Sequence, residues 1–249
     1  MPFQIGPLAT ALVFSAVFVF GSDGLIPAPL RCHQRKLLSF GAGVSIAYVF
    51  VYLLPELETA RAVLARTGAD RALPFPALRV YLAALCGFML FYGLEHLVQW
   101  TGVRPGPEAA VGEKGRTGRA IRTGGFLAYV WLAGYLAVRS LEERPTPLVL
   151  YTVALGLHFL SLDFLLGREY GPWYRRSARY AFAIAPVAGW LAGLFVGFSQ
   201  LFTAALLGFV SGGIIMNTIV SELPKEKEGR LLFFLLGGAI YTVLLIVLS

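Results

Sequence analysis

Eight apolar runs, each about long enough to cross a lipid bilayer, fill most of this 249-residue chain. About 20 apolar residues in a helix cross the hydrocarbon core, where the backbone finds no water to bond. Only 14% of the residues are charged, against about 25% in globular domains. The sequence therefore predicts an all-α, polytopic membrane protein with a single transmembrane domain over 1–249. The runs lie at about 5–29, 37–55, 77–100, 123–140, 147–167, 178–198, 201–221 and 230–248.

The basic residues are distributed unevenly between the connections that join these runs. The first, third, fifth and seventh connections hold 15 of the 21 lysines and arginines, and six lie elsewhere. Because basic loops stay in the cytoplasm, this asymmetry predicts eight helices with both termini outside. The first run has no basic residue ahead of it, so we expect a retained helix and no cleaved signal peptide. The compact loops favour a bacterial plasma membrane.

Residues 101–122 are Gly-rich and basic and have no apolar periodicity, which predicts a flexible cytoplasmic loop. Its charges suit the anionic headgroups of the lipid bilayer. Aromatic residues are not interleaved with these charges, so nucleic-acid binding is not expected. Cys32 and Cys86 stand in contexts of different membrane depth, so no disulfide between them is expected.

One internal repeat is visible: GAGVSIAYVFVYLLPELE in the second run resembles SGGIIMNTIVSELPKEKE in the seventh. Twelve residues separate Gly43 from Pro55, and twelve separate Gly212 from Pro224. The predicted topology gives the two helices opposite directions across the membrane. Inverted repeats of this kind are typical of transporters whose sites lie near the bilayer midplane. The alternative is that Gly-rich helices ending in proline are simply common in membranes.

At this repeat the chain resembles the ZIP family of divalent-metal transporters. The resemblance is carried by SFGAGVSIAYVFVYLLPELE, by GFVSGGIIMNTIVSELPKE, and by AFAIAPVAGWLAGLF with its spaced Gly189 and Gly193. It implies a 3+2+3 arrangement, in which inverted triplets of helices surround a central fourth and fifth helix.

The family's metal-ligand motifs are mostly missing from those two central helices. The fourth run has Tyr129-Val130-Trp131-Leu132-Ala133-Gly134 where the family usually has His-Asn-x-x-Asp/Glu-Gly. In the fifth run, His158 and Asp163 match the first histidine and last carboxylate of His-Glu-x-Pro-His-Glu. Phe159, Ser161 and Leu162 replace the residues between them. A binuclear metal centre of the family's kind cannot be assembled from these side chains.

His158 and Asp163 are nevertheless the candidate metal ligands, since a charged group in the membrane usually serves a purpose. Imidazole and carboxylate suit Zn, Fe or Mn, the divalent cations considered as substrate. Five residues of helix place the two side chains about 140° apart, so further ligands must come from other helices. The competing interpretation is structural: His158 is hydrogen-bonded across helices, and Asp163 meets Arg168.

Two further groups are candidates for a transport path. Glu95 and His96 lie near the end of the third run, where an interfacial pair would also be ordinary. Asn217, Ser221 and Glu222 occupy the later half of the seventh run, and Asn217 and Ser221 share a face. Pro224 follows them and can free backbone carbonyls.

No catalytic pattern is present, so the chain is not expected to be an enzyme. Two functions remain. One is a ZIP-like transporter that moves a divalent metal cation or another small solute through a degenerate site. The other is a transport-inactive relative that serves as a membrane scaffold, sensor or regulatory protein. A homodimer is left open by the sequence.

Overall fold

The computed structural model describes residues 5–25, 34–67, 78–100, 113–139, 145–219 and 231–248. Helices make up almost all of these residues, and no strand occurs among them, so the predicted all-α class is confirmed. The helices are α1 (Ile5–Leu25), α2 (Gln34–Ala47), α3 (Leu54–Thr67), α4 (Arg79–Trp100), α5 (Glu113–Arg139), α6 (Pro145–Trp173), α7 (Arg179–Phe195), α8 (Gln200–Asn217) and α9 (Leu231–Leu248).

Six helical stretches of the described residues are long and apolar enough to cross a membrane, which fits the predicted membrane class. One of them, Thr146–Phe195, has 50 residues and would extend about 75 Å if it were straight, more than twice the hydrocarbon thickness. Gly171 divides it, with φ 53° and ψ −130°, which glycine adopts without strain. A shorter apolar helix covers Ile5–Gly21.

Two predicted boundaries are wrong. Residues 113–122, assigned to a flexible loop, form the first turns of α5, while 101–112 lie outside the described residues. The second predicted helix does not end at Pro55 but continues to Thr67. A π-helical segment, Tyr48–Leu53, precedes the proline. Pro55 has no N–H to donate to Val51, and the Leu54 N–H bonds five residues back to Val49, so wider turns carry the helix past the proline.

Glycines bring the backbones of two helix pairs into direct contact. A methyl group at Gly43 of α2 would collide with the Phe234 carbonyl of α9, and one at Gly237 with the Phe40 carbonyl. The pair α4 and α8 repeats this arrangement. There Gly212 faces the Ala84 carbonyl and Gly87 faces the Phe209 carbonyl. In all four cases the carbonyl belongs to the residue three positions before the opposing glycine.

The α5 and α7 pair uses the same contact. Gly134 lies against the Pro186 carbonyl, and Gly189 lies against the Trp131 carbonyl. Gly193, four residues after Gly189, packs on Val138. The Gly-x-x-x-Gly spacing of α7 is therefore a helix-packing face, as small residues at this spacing commonly are in membranes.

The packed helix pairs divide into parallel and antiparallel ones. Four pairs run parallel: α1 with α6, α2 with α9, α4 with α8, and α5 with α7. For example, Gly6 and Phe18 of α1 lie beside Leu148 and Phe159 of α6. Helix α1 runs antiparallel to α7. The pairs α4 with α5, α5 with α6, and α2 with α6 are also antiparallel.

We expect Gly87→Ala to lower the free energy of unfolding by about 1–3 kcal/mol, the usual cost of overpacking. The added methyl group has no room against the α8 backbone at Phe209. Gly93→Ala on the same helix is the matched control, because a Cβ there meets nothing within 4 Å. Thermal unfolding in detergent measures both. Equal midpoints for the two variants would contradict the packing described here.

Candidate functional site

Helix α6 carries buried polar residues at successive depths. Tyr151, His158 and Asp163 are buried and Glu169 is half-buried, and about 27 Å of helix separates the first from the last. That distance is close to the thickness of the hydrocarbon core. Each of these residues contacts a different partner, so they form separate sites.

His158 and Asn217 form the central polar pair. The Asn217 amide nitrogen lies 3.3 Å from His158 Nε2, and both side chains are no more than 2% exposed. With the amide as donor, Nε2 accepts and the neutral ring carries its proton on Nδ1. Asn217 Oδ1 is buried and has no hydrogen-bond partner within the described part of the chain. A buried acceptor left unsatisfied costs about 1–3 kcal/mol, so a polar solute or a water molecule would bind favourably there.

Aromatic rings enclose this pair on the α5 and α6 side. Tyr129 meets the His158 ring edge to face at 5.9 Å, and Phe159 lies at the same distance. Tyr129 stands where the resemblance to the ZIP motif leads us to expect a histidine, so a ring occupies the position expected for a ligand. The rings give the pair an apolar enclosure on this side.

Asp163 belongs to an ion pair at the junction of α6 and α7. Its carboxylate accepts hydrogen bonds from Tyr174 at 2.9 Å and from Arg179 at 3.1 and 3.2 Å. The Arg179 guanidinium also lies against Gly21 of α1, where φ is 63°. The sequence interpretation paired Asp163 with Arg168, whereas the described ion pair is with Arg179, which the spacing in sequence did not indicate.

His158 and Asp163 therefore contact different groups, as their angular separation predicts. Within the described residues no three His, Cys, Asp or Glu side chains come together. The assignment of these two residues to a divalent metal stays a prediction.

Arg122 is the largest fully buried side chain described and centres the arginine cluster, which we define as Glu95, Arg122, Glu169 and Tyr170. Its guanidinium lies 2.7 Å from Glu95 of α4 and also pairs with Glu169 of α6. It donates to the Tyr170 hydroxyl at 3.2 Å. Glu95, predicted on a transport path, is thus one of two half-buried carboxylates that pair with the buried Arg122. Sequence reasoning missed Arg122 because it was assigned to a loop.

The other path candidates lie elsewhere. His96 is on an exposed face of α4, where it stacks on exposed Tyr92 at 6.5 Å. Ser221 and Glu222 lie outside the described residues.

A small pocket opens beside the π-helical segment. It is lined by Tyr48, Tyr52, Glu56 and Tyr151 with three leucines, and its cavity volume is about 20 Å³. We call it the tyrosine pocket. The π-helical turns bring Tyr48 and Tyr52 into a stack 5.4 Å apart. Pro55 was the sequence signal that lay closest to this pocket.

No protein-family model, curated protein or solved structure matches this chain. The resemblance to ZIP transporters rests on the motifs quoted above. The chemistry of the described residues must therefore carry the functional argument. They offer a buried hydrogen-bonding pair, an aromatic pocket with one carboxylate, and two ion-pair networks, around Arg179 and around Arg122.

We expect Arg122→Met to lower the free energy of unfolding by about 3 kcal/mol, because two partly buried carboxylates lose their counter-ion. Adding Glu95→Gln and Glu169→Gln to this variant should restore most of the loss. Arg116→Met, at an exposed position of the same helix, is the control and should change little. Chemical denaturation in detergent measures the series. Failure of the triple variant to recover would show that the charges are not what the arginine stabilises.

Proposed function

We propose that this protein is an integral membrane transporter of inverted-repeat type, with eight crossing helices in a ZIP-like arrangement. In this proposal α2 and α3 together form the second crossing, and α4 to α9 form the third to eighth. The central polar pair contacts a small solute as the helix bundles rock about α5 and α6. A divalent metal cation is one candidate for that solute.

The packing directions support eight crossings. In a chain that crosses the membrane back and forth, the odd-numbered crossings are parallel to one another and antiparallel to the even-numbered crossings. The four parallel pairs and the four antiparallel pairs of the fold all obey this rule for eight crossings. Helix α1, although short, is in the direction that a first crossing requires.

The observation that carries the proposal is the matched glycine contact. The repeat relates the second crossing (α2) to the seventh (α8) and the third crossing (α4) to the eighth (α9). It therefore relates the contact between α2 and α9 to the contact between α8 and α4. Gly43 then corresponds to Gly212, as in the sequence repeat, and Phe40 corresponds to Phe209. Both repeat helices also become π-helical soon after the glycine, at Tyr48–Leu53 and at 218–219. Transporter sites form at such irregular helices.

The repeat also relates the two polar sites. Tyr48 follows Gly43 by five residues, and Asn217 follows Gly212 by five. One equivalent position therefore faces the tyrosine pocket and the other binds His158. The oxygen of Asn217 that has no hydrogen bond to a described residue gives this position a capacity to bind a polar group.

The alternative function is a transport-inactive scaffold, sensor or regulatory protein. It is favoured by the same residues that argue against zinc transport: the carboxylates of Asp163, Glu95 and Glu169 are each paired with an arginine. In either case we place the protein in a bacterial plasma membrane with both termini outside, surrounded by lipid. A homodimer is compatible with both functions.

The topology predicts different labelling of two thiols in intact cells. With Cys86 replaced by serine, Cys32 lies in the first, cytoplasmic connection and should react with a membrane-impermeant maleimide only after permeabilisation. A cysteine introduced by Ser249→Cys should react in intact cells. Labelling of Cys32 in intact cells, or protection of the cysteine at 249 until permeabilisation, would contradict eight crossings with outside termini.

We expect solute uptake into proteoliposomes to depend on the central polar pair. The panel includes Zn²⁺, Fe²⁺, Mn²⁺ and small organic solutes. Both His158→Ala and Asn217→Ala should reduce the transported solute's uptake at least tenfold, because the solute loses buried hydrogen bonds. Ser161→Ala is the control on α6, since its hydroxyl bonds only to Leu157 of its own helix.

Absence of uptake for the whole panel would favour the scaffold. Uptake that is indifferent to both substitutions would reject the central polar pair as the solute contact while leaving transport in place.

A further inference from the structure

The chain reverses direction at Gly171, and basic residues lie around this reversal. Helix α1 is parallel to α6 and antiparallel to α7, so the helical stretch Thr146–Phe195 turns back on itself where Gly171 divides it. The length of α6 from Tyr151 to Glu169 is already close to the thickness of the hydrocarbon core. The first turns after Gly171 therefore lie at about the depth of the lipid headgroups.

One contact joins the beginning of α5 to these first turns. The guanidinium carbon of Arg119 lies 4.2 Å from the centre of the Trp173 ring. This is a cation–π contact, which leaves the positive charge of the arginine in place. Trp173 is 36% exposed, and a tryptophan that is open on one side is typical of a membrane interface.

Two exposed arginines flank this contact. Arg116 precedes Arg119 by three residues on α5, and Arg176 follows Trp173 by three, within the π-helical segment Tyr174–Ala178. Residues three apart on a helix are neighbours on its surface. Arg116 and Arg176 are exposed, and Arg119 is half-buried. We call Arg116, Arg119, Trp173 and Arg176 the interfacial face.

The described part of the chain does not neutralise the positive charge of the interfacial face. None of its three arginines forms an ion pair with a described residue. The carboxylates of the neighbouring helices are paired with other arginines. Glu95 and Glu169 pair with Arg122, and Asp163 pairs with Arg179. Three guanidinium charges at headgroup depth are therefore available to an anion from the bilayer.

We propose that the interfacial face binds an anionic phospholipid, whose phosphate lies among Arg116, Arg119 and Arg176. The planar guanidinium donates paired N–H groups that match the oxygens of a phosphate. Trp173 packs on the glycerol and on the first carbons of the acyl chains. Basic sites between helices at the cytoplasmic surface bind such headgroups. That the lipid belongs to the cytoplasmic leaflet rests on the proposed topology, whereas the binding itself does not.

The same charges disfavour two related ligands. A zwitterionic phospholipid brings a second, positive group into a face that already holds three positive charges. Inorganic phosphate has the anionic chemistry of the headgroup but no acyl chain to contact Trp173.

Binding is tested on the whole purified protein in a neutral detergent by titration calorimetry. The probes are short-chain phosphatidylglycerol, phosphatidylcholine of the same chain length, and inorganic phosphate. We expect saturable binding of phosphatidylglycerol, and binding of the other two that is weaker by about tenfold or more. Equal affinity for the two phospholipids would overturn the proposed charge selectivity. Phosphate that binds as tightly as phosphatidylglycerol would identify a site for a soluble anion and overturn the lipid proposal.

The contribution of the arginines is tested with Arg116→Gln and Arg176→Gln in one protein. This double variant should bind phosphatidylglycerol about tenfold more weakly or worse, because two positive charges are lost. Arg139→Gln is the matched control, since Arg139 is exposed at the opposite end of α5. The thermal midpoint without lipid should stay at the parent value in both proteins, because all three positions are exposed. Unchanged affinity of the double variant would overturn the site.

The parent protein gives a second measurement that needs no variant. Raising the salt concentration should weaken phosphatidylglycerol binding, because exposed charges are screened. An affinity that is independent of salt would contradict binding through the arginines.

Uptake into proteoliposomes separates this proposal from transport. Selective phosphatidylglycerol binding by a protein that takes up no solute supports the interfacial face and contradicts transport. Uptake without selective phosphatidylglycerol binding supports transport and contradicts the interfacial face.

Discussion

Direct contact between helix backbones at glycine is the constraint on which the rest of this structure depends. In a bilayer, lipid tails are as apolar as leucine, so the hydrophobic effect does not drive one helix against another. Close approach supplies the missing attraction through dispersion between backbone atoms. Three helix pairs use the same reciprocal contact, in which each glycine faces a carbonyl three residues before the other. Each contact fixes both the separation of two helices and their relative position along the membrane normal. The polar residues on these helices are therefore also held at fixed depths.

That fixed depth explains how the fold holds charged residues inside the membrane. An isolated charge at the bilayer centre costs about 3 kcal/mol on insertion scales, and more without local relaxation. Here the charges of Asp163 and Arg122 are matched by partners from neighbouring helices. Near the middle of α6 the polar groups of His158 and Asn217 are hydrogen-bonded to each other. The two ion-pair networks that include residues of α6 lie in its C-terminal half, beyond His158 and Tyr151.

Much of the fold follows from local properties of the sequence. Apolar run length predicts the helices because a run of about 20 apolar residues crosses the core as a helix, which satisfies its own backbone. The matched spacing from Gly43 to Pro55 and from Gly212 to Pro224 predicts the repeat. What could not be predicted depends on distant partners. Residues 113–122 resemble a loop, yet Arg122 is buried because Glu95 and Glu169 arrive from other helices. Pro55 is a usual helix stop, but the preceding turns widen enough to pass it. The site was half predictable: helical geometry separates His158 from Asp163, but no spacing in sequence indicates that Asn217 is the partner of His158.

The π-helical segment Tyr48–Leu53 has an evolutionary consequence. A hydrogen bond that reaches back five residues encloses one residue more than an α-helical turn does. Deleting a single residue from the segment would restore ordinary turns while α2 stays on α9 and α3 stays on α8. The helix pairs would survive such a deletion, while the positions of Tyr48, Tyr52 and Glu56 around the helix would change relative to one another. One codon can thus reshape the tyrosine pocket while the contacts between the helix pairs stay as they are.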